Sequence, residues 1–202
     1  MNFKKKLELT KIANILIYLA DNTNNFGITK ANKLLYYLDC YHLQKYGRSV
    51  TKDIYKKLPQ GPVPSDTYDR LKSIVELRDI TEEFYSSIDS DFKEFFLKFI
   101  DIQIEQLSDN HRRFRIIAKT KFDNKYLSKS EMQILEEIAI KFKTATATEL
   151  SNKTHKELPY INAEANSTVD LKLFVKNKIS EKEYSEIVYI EKATNAMTLN
   201  YG

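Results

Sequence analysis

Three histidines and one cysteine are the residues best suited to metal or nucleophilic chemistry, and their spacing works against both. His42, His111 and His155 lie far apart, and only Cys40 and His42 are near neighbours. Two positions apart on a helix, side chains point about 200° apart, so Cys40 and His42 cannot share a metal ion. A structural zinc site needs four clustered ligands. As a nucleophile, Cys40 would need a base supplied by His111 or His155; without one it is a small buried core residue. Four glycines in 202 residues leave no room for a phosphate-cradling loop. The run His111–Arg115 (HRRFR) has the residue types to touch phosphate, but strand alternation puts Arg113 and Arg115 on one solvated face. No catalytic residue, cofactor or metal is expected.

A different chemistry is concentrated in residues 58–69, LPQGPVPSDTYD. Three of the chain's four prolines, Pro59, Pro62 and Pro64, fall here around Gly61. Each fixes φ and removes a donor, and Leu58, Gly61 and Val63 before them are pushed toward extended geometry. Such a segment loses little entropy when a partner docks on it, and Gly61 can adopt positive φ. Gly61, Pro62, Val63 and Pro64 are therefore candidate partner-binding residues, the alternative being a folding corner between a strand and a helix. Tyr36, Tyr37, Tyr41 and Tyr46 cannot all be buried on one helix, and Tyr37, Tyr41 and Tyr46 are the candidates for an aromatic surface. His155 stands at the end of a capped helix, where an imidazole can satisfy terminal carbonyls or contact a partner.

The elements that must position these residues are mostly helices. Leu9, Ile12, Ala13, Leu16 and Leu19 share a face of a helix over 7–20. Thr29 is the expected cap of a helix over 30–46, closed by Gly47. Ile54–Leu58 suits a short strand, and Ser65 is the expected cap of a third helix carrying Tyr68, Leu71, Ile74 and Val75 inward. The stretch 84–107 suits a helix running into a strand, and the segments either side of residues 108–112 a β-hairpin. Ser128 with Glu131, and Thr146 with Glu149, are capping-box pairs before two further helices. Pro159 is expected to break the chain, and Asp170 to cap a short helix. The fold class is mainly α (α+β), a compact helical domain with a small β-hairpin or sheet over 1–177. Residues 178–202 form a weakly packed C-terminal extension.

Composition is that of a globular protein, with 42 % hydrophobic and 30 % charged residues. A net charge of +4, spread along the chain and mostly lysine, argues against a nucleic-acid ligand. The apolar-leaning run Ile15–Ala20 is far short of the ~20 residues that span a bilayer, so no membrane association and a cytoplasmic location are expected. The single cysteine excludes an internal disulfide.

Residues 33–71 resemble the core of the Panacea domain of SocA-like antitoxins. Lys33–Tyr36 (KLLY), Tyr41–Gly47 with Tyr46 before the glycine, and Gly61–Val63 (GPV) carry that likeness. Residues 123–138 resemble the family's Asp-x-x-x-Leu-Ser-x-x-Glu segment, and 150–160 its Leu-Ser-x-x-x-His signature with His155 as the histidine. The three ordered blocks extend the resemblance over roughly residues 8–175. The tryptophan usual after the histidine is missing, with Tyr160 in its place, and 80–105 match nothing in the family.

The resemblance implies an antitoxin of a toxin–antitoxin system, bacterial or phage, that neutralises a cognate protein toxin by direct binding. It equally admits an adaptor that delivers the toxin to a ClpXP-type protease. Self-association stays open. A DNA-binding autoregulator, using 130–143 and 148–155 as a helix-turn-helix, has few basic residues to support it.

Overall fold

The computed structural model describes residues 1–79, 90–108, 111–176 and 178–200. Helix α2 (Ile28–Tyr46) is its axis: every residue from Lys30 to Cys40 is buried. An amphipathic helix hides one stripe, whereas one enclosed all round needs neighbours on every side. The chain reaches α2 from α1 (Phe3–Asn22) and leaves it for the hairpin of β1 (Tyr55–Leu58) and β2 (Gly61–Pro64) and then α3 (Ser65–Asp79). After them come α4 (Ser90–Leu97), the hairpin of β3 (Ile100–Ser108) and β4 (His111–Ala118), α5 (Lys129–Lys141), α6 (Ala147–Thr154), α7 (Leu158–Asn162) and α8 (Glu181–Asn200). The fold is mainly α with two small antiparallel two-stranded sheets. Among the described residues no helix is long and apolar enough to cross a membrane.

Helix α1 buries the five expected residues together with Ile15 and Ile17, a wider face than its spacing suggested. The entrance to α2 differs from expectation. Gly27, not Thr29, is its N-cap, and no side chain caps it. A Cβ at Gly27 would collide with the Phe114 carbonyl oxygen, so close docking of β4 requires the glycine. Thr29 instead turns its hydroxyl toward Gln60 Oε1 at 3.4 Å. Gly47 closes α2 in the left-handed region, φ 70°, with its N–H on the Leu43 carbonyl.

The proline-rich stretch is a strand. In the β1–β2 register Tyr55 faces Pro64 and Lys57 faces Pro62. The backbones of Tyr55 and Lys57 turn outward, bonding to Val169, Asn166 and Ser167. Pro62 and Pro64 thus occupy positions where no ladder N–H is required, which is why prolines are tolerated there. Ser65 does not cap α3, and its hydroxyl has no partner. The Asp53 carboxylate does so from across the hairpin, accepting from Asp66 N at 3.0 Å and Thr67 N at 2.9 Å.

The β3–β4 hairpin lies where expected and places Arg113 and Arg115 on one face opposite Glu105. Residues 84–89 of the helix expected before it, and residues 109–110 of its turn, lie outside the described residues. Both capping boxes form. In the first, Glu131 also accepts from Lys11 Nζ at 2.7 Å and Arg48 Nη1 at 2.9 Å, tying α5 to α1 and to the exit of α2. Burial alone would raise its pKa, but those cations and the Ser128 N–H hold it down at about 2. Pro159 starts α7 rather than breaking the chain, its missing N–H being unneeded in a first turn. Asp170 caps a 3-10 turn over 171–174. The C-terminal segment is helix α8, where Ile187 joins the core while Tyr189 is 74 % exposed.

Candidate functional site

Three segments far apart in sequence meet at one point beside α2. Lys33 donates from Nζ to the Pro62 carbonyl at 2.9 Å. Gly61, at φ 104°, lies so close that a Cβ there would sit 2.6 Å from Thr154 Oγ1 and 2.8 Å from Lys33 Cε. Thr154 precedes His155, whose ring stacks on Tyr160 with centroids 4.5 Å apart. Around this centre the hairpin turn is pinned by Ser151 Oγ donating to the Gln60 carbonyl at 2.8 Å. Tyr160 OH donates to the Leu58 carbonyl at 2.9 Å. Lys57 Nζ lies 4.6 Å over the Tyr160 ring and donates to the Ala163 carbonyl.

The electrostatics follow from enclosure. Lys33 has no exposed surface, and loss of hydration pulls its ammonium down to about 7. Burial, and then the positive charges of Lys33 and Lys57, lower His155, with the Pro59 backbone offsetting part of this. Its Nε2 is buried without a partner. The backbone partner of its ring is Pro59 in the hairpin turn, not a carbonyl at the end of α6, the structural role its position suggested.

A second buried polar centre lies one to two turns further along α2. Asp39 accepts from Val50 N, Thr51 N, Thr51 Oγ1 and Tyr55 OH. Burial pushes its carboxyl up, and these four donors offset the effect. It fastens the 48–55 crossing to α2. Lys30 performs the same service at the other end, donating to the carbonyls of Asn24 and Lys143. His42 links the Arg48 carbonyl, 2.7 Å from Nδ1, to Ser130 Oγ, 3.1 Å from Nε2. Neither Lys30 nor Asp39 stood out in the sequence, although a charge on a face shared with Leu34, Leu35 and Leu38 was the available signal.

The proposed partner-binding residues divide. Gly61, Pro62, Val63 and Pro64 are all buried, and Tyr37 has no exposed surface, so the expectation of an exposed ridge and an exposed Tyr37 is corrected. The physical reason is that prolines at outward-facing backbone positions let β2 pack flat against α2. Tyr37 stacks on Phe142 at 4.8 Å. Tyr41, Tyr46 and His155 are half-buried. Lys141 Nζ donates to Tyr41 OH, and Tyr46 OH donates to Gln133 Oε1. The geometry brings His155 and Gly61–Pro64 together and leaves the three tyrosines on the far half of α2. Cys40 is buried, its thiol pushed up chiefly by desolvation, the opposite of an activated nucleophile. Among the described residues no three His, Cys, Asp or Glu side chains converge to hold a metal.

Residues 32–160 match the family model described as Antitoxin SocA-like, Panacea domain, a span of 129 residues (160 − 32 + 1) out of 202. No curated protein and no solved structure matches the chain.

Proposed function

The chain belongs to the SocA-like antitoxin family that carries the Panacea domain, and on that premise we propose that it neutralises a cognate protein toxin by binding it directly. The observation that carries this reading is the match over residues 32–160, within which Lys33, Gly61–Val63 and His155 assemble one buried centre. That centre supports an architectural role: it fixes the hairpin against α2, and the surface built on this frame meets the toxin. Tyr41, Tyr46 and His155, half-buried, are the contact candidates from the sequence that keep surface to offer.

Binding without turnover is part of the same proposal. The Lys33 amine and the Cys40 thiol are enclosed and the Nε2 of His155 is sealed, which favours neutralisation by occupancy. The test is co-expression with the product of a neighbouring toxic reading frame. Stoichiometric co-purification and rescue of growth in cells lacking ClpXP are expected. Rescue that requires ClpXP would establish the adaptor mechanism instead, and no complex with the neighbouring product would overturn the proposal.

A further inference from the structure

Lys33 and His155 enter their shared site from different elements, and neither is equipped there to carry a proton. Lys33 Nζ has one acceptor, the Pro62 carbonyl, where an ammonium offers three donors. His155 Nε2 is sealed from solvent with no donor or acceptor beside it, an arrangement that suits a neutral ring. The charged or titratable groups around the pair are Lys57 from β1 and Tyr160 from α7. Glu157, at the α6–α7 junction, is engaged by Lys178 Nζ at 3.4 Å. A proton arriving on either residue meets like charge and a shortage of acceptors.

We propose that Lys33 and His155 form a proton-operated latch on the turn end of the β1–β2 hairpin, closed while both are neutral and released as they take up protons. The movable part is the turn end of the hairpin, Leu58–Pro62, held by Lys33 on Pro62, Ser151 and Thr29 on Gln60, and Tyr160 on Leu58, while the β1 edge stays fixed through Tyr55 and Lys57 to residues 166–169. Swinging that turn away restores water to Nζ and to the imidazole at the cost of those bonds.

The direction follows from linkage. Closed, Lys33 titrates at about 7; open to water it returns to about 10.4. Between those values the open form holds a proton that the closed form lacks, so closure strengthens as pH rises and weakens as it falls. From pH 8 to pH 6 the opening constant rises about tenfold from Lys33, and His155 adds to this below about pH 6.5.

Hydrogen exchange of the whole 202-residue chain reads this directly, as the protection of residues 58–61 relative to α5, corrected for intrinsic rates, at pH 8 and pH 6. Relative protection is expected to fall about tenfold at pH 6. Lys33→Met should remove most of that dependence, and His155→Gln only the part below about pH 6.5. A wild-type ratio that is flat between the two pH values overturns the latch, as does a folded Lys33→Met variant that keeps the tenfold change. Should Lys33→Met not fold, the wild-type ratio and the His155→Gln series decide the matter alone.

Discussion

Replacing Gly61 by alanine tests the packing of the buried centre with a single methyl group. Two costs are separable. At φ 104° an L-residue leaves its favoured regions, which costs about 1–2 kcal/mol. The new Cβ would then press on Thr154 Oγ1 at 2.6 Å and on Lys33 Cε and Nζ at 2.8 and 2.9 Å. Neither neighbour yields freely, because Thr154 donates to the Ser151 carbonyl and Lys33 to Pro62. Overpacking of this kind costs about 1–3 kcal/mol more. The sum, about 2–5 kcal/mol, corresponds to a fall in Tm of about 4–20 °C for a chain of this size. Gly47→Ala is the matched control: φ is 70°, but the nearest atom is the flexible end of Ile190 at 3.1 Å. It should lose only the conformational cost, about 1–2 kcal/mol. Melting curves by circular dichroism at one pH compare the two, with Gly61→Ala/Thr154→Ala recovering part of the difference. A Gly61→Ala protein that melts as high as Gly47→Ala would refute the tight convergence of Gly61, Lys33 and Thr154.

Three further outcomes are expected. Glu131→Gln keeps the cap but abandons Lys11 and Arg48, and should cost about 1–3 kcal/mol in urea titrations. Because folding depresses the Glu131 pKa to about 2, its contribution is complete above about pH 4.5 and is lost as pH falls toward 2. The variant should flatten that acid limb, and an unchanged limb would discount the ion pairs. Asp39→Asn turns an amide N–H₂ toward groups that already donate and should cost about 3–5 kcal/mol, seen as a lower urea midpoint. Ile187→Ala should cost about 2 kcal/mol, a fall of about 4–8 °C, since Ile187 is 7 % exposed and joins the core; a change under about 1 °C would mean that α8 is not docked.

Local signals were legible where the physics is local. Both capping boxes, the left-handed Gly47 and the inward face of α1 follow from spacing and side-chain chemistry within a few residues. The start of α3 was not legible, because its capping carboxylate, Asp53, comes from the far side of a hairpin. The entrance to α2 was misread for the same reason: a carbonyl from β4 demands glycine at position 27, and no neighbour in sequence announces it. The rigidity of residues 58–64 was plain from the prolines, but their burial depends on a lysine 29 residues earlier and on a strand-like segment at 166–169. The candidate site was thus visible as three motifs and invisible as one centre. Convergence is a property of tertiary packing, which α2 imposes by presenting every face to a different partner.

The outer edge of β1 has a consequence for how the protein comes into being. That edge is completed by residues 166–169, with Lys56 bridged to Thr168 across 112 positions. Contacts of such sequence separation are slow to form, since loop closure must precede any reward. In synthesis the delay is enforced: 105 residues (169 − 64) follow the end of the hairpin before its last neighbour exists. At roughly 5–20 residues per second that takes about 5–20 s. Throughout that interval the nascent chain has its hairpin turn but lacks the strand-like segment that seals it, so the closed domain is assembled only after residue 169 has been made.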